Sequence, residues 1–215
     1  MLGIYVSIPV ACFRKGMARE YLETDPIPPP STCYGFLLSL VGETDRSRHE
    51  LARVTCGLIG TPDKSVVLRT VWRVKSKPLG SSGNTRPDYQ QLLTNVQLVI
   101  WLDSRHEREQ SITLESRVSD AMTPERRSKI ERFGGLALGE STHLVDEVLD
   151  VESYSAREPK QSVTLFVLRN RGRMSLPVWV DHVGSAGTRY ATGDLDLRLL
   201  QEAPGVDEIP LISSD

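Results

Sequence analysis

Leu2, Ile4, Val6 and Ile8 alternate with Gly3, Tyr5 and Ser7. That two-residue period predicts a half-buried first strand, and Pro9 is expected to end it because proline cannot donate to a ladder. Residues 10 to 30 carry Phe13, Arg14, Lys15, Arg19 and Tyr21 without periodicity and close on Pro28-Pro29-Pro30. The prolines enforce an extended backbone, so a long exposed loop is expected. Ser31 offers an N-cap hydroxyl, and the apolar run from Tyr34 to Val41 ahead of Gly42 predicts a short buried helix.

Val54 to Ile59 and Val66 to Val74 flank Gly60-Thr61-Pro62-Asp63, a turn composition that predicts a hairpin. In its second arm Leu68, Thr70, Trp72 and Val74 share one face, and Arg69, Val71, Arg73 and Lys75 the other. The cations exclude their face from a core, so Trp72 on the opposite face is expected to be buried. Ser76 to Pro87 is rich in Gly, Ser, Pro and Lys and reads as the flexible tip of an insertion. Val96 to Leu102 predicts another apolar strand and Ile112 to Met122 a helix. Thr123-Pro124-Glu125 starts a second helix with an N-cap and a proline at the first position. After the glycine-containing loop from Phe133 to Ser141, strands are expected over His143 to Val151, Val163 to Arg169, Met174 to Asp181 and Tyr190 to Leu200. Paired strands with two helical regions between them predict an α+β fold of ferredoxin-like type with hairpin insertions.

Composition agrees with a folded globular chain: 215 residues, 39% hydrophobic and 25% charged, which excludes a disordered or fibrous class. No apolar run approaches the roughly 20 residues needed to span a bilayer, and the N-terminus has no secretory pattern, so no membrane association and a cytoplasmic location are expected. Cys12, Cys33 and Cys56 are odd in number and lack any Cys-x-x-Cys pair. They read as reduced, partly buried thiols rather than zinc ligands.

The net charge of −2 conceals an uneven distribution. Between Lys64 and Gln90 six basic residues face the single acid Asp88, whereas from Asp194 to Asp215 six acids face only Arg198. Catalytic signatures are absent: there is no Gly-x-x-x-x-Gly-Lys-Ser/Thr segment and no Gly-x-Gly-x-x-Gly after a strand. Gly139-Glu140-Ser141-Thr142-His143 begins like a nucleophile elbow but has His143 where the final glycine belongs. His143 and Asp146, three apart on a strand, fall on opposite faces and make a poor metal pair, so neither metal nor cofactor is expected. His106 with Arg105 and Arg108 has the composition of a metal-free ribonuclease site, and equally that of a solvated charged turn.

Nucleic-acid binding needs cations for phosphates and aromatic groups or extended backbone for unstacked bases. Arg14, Lys15, Arg19 and Tyr21 supply these in the first loop; Arg69, Arg73, Lys75, Lys77 and Arg86 supply cations around the hairpin. A solvated cationic face is the alternative reading. Ser31, Thr32 and Tyr34 open the first helix, where free backbone N–H groups suit a phosphate and Gly35 permits close approach.

The run Thr24-Asp25-Pro26-Ile27-Pro28-Pro29-Pro30-Ser31-Thr32-Cys33-Tyr34-Gly35-Phe36-Leu37-Leu38-Ser39-Leu40-Val41-Gly42-Glu43 resembles the N-terminal signature of the Cas-five (Cas5) family. These are the handle-binding RAMP proteins of type I CRISPR complexes. Ala11-Cys12-Phe13-Arg14 and Arg86-Pro87-Asp88-Tyr89-Gln90-Gln91-Leu92-Leu93 resemble further segments of that family. The likeness is closest over residues 1 to 43, extends to about 102, and fades beyond. It implies a RAMP/RRM-like domain over residues 1 to 139 with a thumb insertion around 65 to 95, and a β-rich C-terminal part over 140 to 215 packed on the same core. It also implies a noncatalytic subunit that grips the 5′ handle of crRNA and caps one end of the complex. The expected partners are crRNA, the backbone subunit and the large subunit of Cascade, with target DNA met only through the complex and the acidic C-terminal region as a protein-facing surface. Relatives that process precursor crRNA use a tyrosine with an adjacent lysine and histidine, and this chain has no Lys-His pair. A metal-independent endoribonuclease is the alternative, and a pure protein adaptor a third reading.

Overall fold

One strand organises the molecule. In the computed structural model, which describes all residues except 17 to 20, 73, 74, 76, 77 and 184, the chain from Thr85 to Asp103 forms a single 19-residue strand. In chain order the elements are β1 (Leu2–Ala11), β2 (Tyr21–Leu22), α1 (Pro30–Leu40), β3 (Arg53–Ile59), β4 (Asp63–Trp72), β5 (Thr85–Asp103), α2 (Leu114–Met122) and α3 (Pro124–Arg127), then β6 (Glu147–Asp150), α4 (Val151–Arg157), β7 (Ser162–Leu168), β8 (Met174–Trp179) and β9 (Arg189–Leu199). The described strands form one mixed sheet in the order β6-β1-β5-β3-β7-β9-β8, with β2 and β4 also paired to β5. All pairings are antiparallel except β2 with β5.

Alternation sends the two faces of this sheet into two cores. Ile4, Val6 and Ile8, with Leu98, Ile100 and Leu102, pack under α1 and α2. Tyr5, Val99, Trp101 and Leu165 pack on the other face with Tyr154 of α4. Tyr5 and Tyr154 stack there at 3.8 Å between centroids.

Several local expectations are corrected. Pro9 does not end β1, which continues to Ala11. Pro9 falls beyond the pairing with β6, and the β5 register passes from Ile8↔Val96 to Val10↔Thr94. Asn95, between those partners, takes φ of 55°. The first loop is not wholly exposed, because Phe13, Thr24 and Ile27 are buried and Asp25 N–H donates to the Phe13 carbonyl at 2.7 Å. Ser31 is not the N-cap; Pro29 takes that position and Pro30 begins the helix. At the other end the expectation holds: Gly42, at φ of +67°, lets Glu43 N–H reach the Leu38 carbonyl at 2.9 Å.

The expected hairpin is also re-paired. β3 bonds to β5 and β7 rather than to β4, while β4 bonds to β5 along ten register pairs from Asp63↔Thr94 to Trp72↔Thr85. The Gly60–Asp63 turn therefore passes the chain from the inner half of β5 to its outer half. Thr113 caps α2 by accepting from Ser116 N–H, and Thr123 precedes Pro124 at the start of α3. The expected strand from His143 to Val151 shortens to Glu147–Asp150, since the Asp150 carboxylate accepts from Ser153 N–H and turns the chain into α4.

Candidate nucleic-acid interface

The first loop and the hairpin, 67 residues apart in sequence at Thr24 and Gln91, meet at the hairpin's root. Thr24 N–H donates to Gln91 Oε1 at 3.1 Å, Tyr21 pairs in register with Tyr89, and Arg14 bridges to Thr24. Arg14, Leu22, Arg69 and Asp88 line a shared open cavity of about 450 Å³. Arg69 lies 3.3 Å from the buried Asp88 carboxylate, and such a pair orients the guanidinium more than it stabilises the fold. Arg86, opposite Val71, is half-buried on the same face as Arg69. Lys15 is exposed and lies 3.5 Å from Glu23. Lys75 is exposed, with its backbone N–H donating to Asn84 Oδ1 at 2.8 Å near the tip. Arg19, Arg73 and Lys77 lie outside the described residues.

The alternation along β4 is as expected, but the inward face is the opposite one. Leu68 and Trp72 are 61% and 60% exposed, so the expected burial of Trp72 is corrected. The Arg69 face turns toward the body, where Gln90 donates to Glu140 Oε1 at 2.9 Å. The reason is position: this part of the hairpin extends beyond β1 and β3, where no core lies beneath Trp72 and a polar loop meets Arg69. The outward face thus displays Val66, Leu68, Trp72 and Tyr89, with Tyr21 at 6.3 Å from Tyr89 between ring centroids.

A second concavity of about 310 Å³ opens between α1 and the chain around β8. Ser31 and Thr32 line it, half-buried, and Gly35 is exposed beside them. Tyr34, expected to meet RNA, is instead almost wholly buried, and its hydroxyl donates to the Arg46 carbonyl at 2.6 Å. Burial pushes its phenol above the usual range, so it stays neutral and anchors Arg46. The Arg46 guanidinium lies 3.7 Å over the Trp179 ring and donates to the Val180 carbonyl at 2.7 Å. Sequence reasoning missed Arg46 and Trp179, which have no local pattern and are joined only by the fold.

One loop connects the two concavities. Ala137 and Gly139 line the α1 cavity, Glu140 bonds Gln90, and His143 Nδ1 accepts from Cys12 N–H at 3.1 Å. Gly139 has φ of +98°, and a side chain there would stand 2.7 Å from the Cys12 carbonyl oxygen. Burial lowers the His143 pKa, opposed by Glu140 and aided by Arg69, and favours the neutral ring, with its proton on Nε2. The candidate ribonuclease pair is not assembled: Tyr21 pairs at Tyr89, whereas His106 follows Asp103 at the other end of β5, about 45 Å away along an extended strand. Among the described residues there is no His, Cys, Asp and Glu cluster suited to a metal, and no helix is long and apolar enough to cross a membrane. The three cysteines are buried and unpaired. The acidic C-terminal region is met by arginines within the chain: Asp194 by Arg173, Asp196 by Arg169, and Glu208 by Arg198.

Over 214 residues the chain is 47% identical to the CRISPR-associated protein Cas5 of Myxococcus xanthus (strain DK1622), a match covering 99% of this chain and 97% of that protein. Its fold is similar to that of a chain in a CRISPR RNA-guided surveillance complex, with a TM-score of 0.61 at 13% identity, covering 92% of this chain and 89% of that one. A chain from a structure described as a Cas protein aligns at a TM-score of 0.47 and 14% identity, over 93% and 94% of the two chains. No family model matches the chain.

Proposed function

Because the chain belongs to the Cas5 family of CRISPR-associated proteins, we propose that it is a noncatalytic RNA-binding subunit of a type I surveillance complex. It grips the 5′ handle of crRNA and caps the backbone subunits next to the large subunit, and it meets target DNA only through the complex. The observation that carries this reading is the loop of residues 137 to 143, which joins the α1 cavity to the arginine-lined root of the hairpin. An RNA strand running along that surface meets Arg14 and Arg69 for its phosphates, and where it passes the edge of the hairpin root Tyr21 and Tyr89 on the outward face offer rings to its bases. The succession β1-α1-β3-β5-α2-β6 follows the βαββαβ plan, which supports a ferredoxin-like RAMP core with the β4–β5 hairpin as its thumb. The similar fold of a chain from an RNA-guided surveillance complex supports membership of such an assembly. The separation of Tyr21 from His106 and the absence of a Lys-His pair support a role without cleavage.

Ultraviolet crosslinking of the protein within its purified complex, followed by sequencing of the bound RNA, tests the reading. Crosslinks from peptides around Arg14 and Arg69 to the 5′ end of the guide are the expected result. Crosslinks confined to other subunits would remove the RNA role and leave a protein adaptor. Specific cutting of repeat RNA by the isolated protein in EDTA would overturn the noncatalytic assignment.

A further inference from the structure

The edges of the sheet are protected unevenly. β6, at one end, is four residues long, and β8, at the other, carries Pro177 and a register shift beside it. Short strands, prolines and bulges are ordinary devices that keep an open edge from pairing with another chain. β4 is long and has neither a proline nor a bulge, and its lysine, Lys64, stands next to its start. It keeps one register with β5 from Asp63↔Thr94 to Trp72↔Thr85 and pairs with no other described strand. Its far edge therefore turns alternate backbone N–H and C=O groups to solvent along ten residues. The same strand exposes Val66, Leu68 and Trp72 on one face, with Lys64 in line with them.

We propose that β4 pairs antiparallel with β4 of a second copy of this chain, about a two-fold axis through Leu68. Directly opposite residues in a ladder share a face, so the axis passes through a residue position rather than between two. A centre at Arg69 sets that guanidinium against its own copy, which opposes pairing. Centres at Val67 and Leu68 keep most of β4 in the ladder, and only Leu68 gives Trp72 a partner within the strand. That register sets Leu68 against Leu68, Val66 against Thr70, and Lys64 against Trp72, a cation beside an indole. On the reverse face Arg69 meets Val67 and Ser65 meets Val71. The occupant is a second copy because the strand's own sequence fills this register with no like charges opposite. The contact is isologous and closes, covering both edges and both apolar stripes at once. It concerns the RNA-free chain and is independent of the RNA reading.

Sedimentation equilibrium of the nuclease-treated full chain, followed to about 100 μM, should show a monomer–dimer equilibrium. Leu68→Lys sets two ammonium groups across the axis at an exposed position. It should weaken the dimer at least about tenfold with the melting temperature unchanged. Phe133→Lys, at a fully exposed apolar residue away from the strand, should leave the dimer intact. Nitroxide labels read the register, since the native cysteines are buried. A label on Leu68→Cys lies one strand from its copy, about 5 Å between Cα atoms, and should show dipolar broadening. A label on Lys64→Cys, whose copy lies beside Trp72, is about 26 Å from it along the strands and should not. A monomer at the highest concentration overturns the proposal, and failure of Leu68→Lys to join the complex then assigns the edge to a neighbouring subunit. A dimer indifferent to Leu68→Lys, weakened equally by Phe133→Lys, lost on nuclease treatment, or broadened at Lys64→Cys also overturns it. Guide RNA binding by the complex is measured separately, so neither reading falls with the other.

Discussion

The Arg69 guanidinium sits 3.3 Å from the Asp88 carboxylate on the neighbouring strand, with the Asp88 side chain 4% exposed and that of Arg69 40% exposed. A buried acid holding a half-exposed base fixes the direction of the cation while leaving its outer N–H groups to solvent. Charge and orientation are separable here. Arg69→Ala should weaken RNA binding and reduce the slope of log K against log salt by about 0.7, the value for one lost phosphate contact on a single strand. Asp88→Asn should weaken binding with the slope preserved, because the cation remains but is no longer aimed. Fluorescence anisotropy with guide RNA across a salt series checks both.

Trp72 and Trp101 should respond in opposite ways to truncation. Trp101 is 2% exposed in the core beside Tyr154, so Trp101→Ala should cost about 3 to 5 kcal/mol in urea unfolding. Trp72 is 60% exposed, so Trp72→Ala should change stability by no more than about 0.5 kcal/mol. Its effect should appear instead as weaker RNA binding or slower assembly with the neighbouring subunit.

Acid should destabilise the protein in a defined window. The hydrogen bond and charge of Arg198 hold the Glu208 carboxyl at about 2, below its ordinary 4.5. At Glu43 burial opposes ionisation, but hydrogen bonds from Arg117 and from Asp45 N–H outweigh it and also hold the carboxyl at about 2. For a carboxylate with a depressed folded pKa, the stabilisation is fully present above the unfolded value and is lost as pH falls through the folded one. Urea stability should therefore decline steeply from about pH 4.5 to 2, after a shallower loss that begins near pH 6.5, where an unfolded histidine protonates and buried His143 does not. Glu208→Gln should remove part of that decline.

Gly139→Ala tests the loop that joins the two concavities. The positive φ and the nearby Cys12 carbonyl predict a cost of about 1 to 3 kcal/mol. Displacing the loop strains the Glu140 and His143 contacts, so RNA binding should fall by more than for a variant of equal stability in the core, such as Val118→Ala. Urea unfolding and anisotropy on both variants make the comparison.

The legible parts of the sequence were those governed by local rules. The alternation of β1, the Thr123-Pro124 start of α3, and the glycine stop after α1 each depend on residues within a turn of one another. Arg14, Tyr21 and Arg69 could be named as candidates because their type suits RNA, and the fold brings their segments together at one root. What stayed hidden was set by long-range pairing. Nothing local to β4 says that its partner is the strand after it, or that a loop near residue 140 turns Arg69 inward and leaves Trp72 outside. Arg46 and Trp179 were missed for the same reason, since only the docking of β8 on α1 makes them a pair. Helix α4 did have a signal, Asp150 three residues ahead of Ser153, overlooked inside an apolar run that read as strand.

The length of β5 gives the molecule the mechanics of a cantilever. Its inner part is held by β1 over Leu93 to Leu102 and by β3 over Leu98 to Asp103, whereas the part beyond Leu93 is braced by β4 along one side and, among the described residues, by Tyr21 and Leu22 along the other. Amide exchange should follow that gradient, slow at the clamp and faster toward the free end. A load applied near Trp72 bends the free end first and reaches the fixed root through a single continuous beam of backbone.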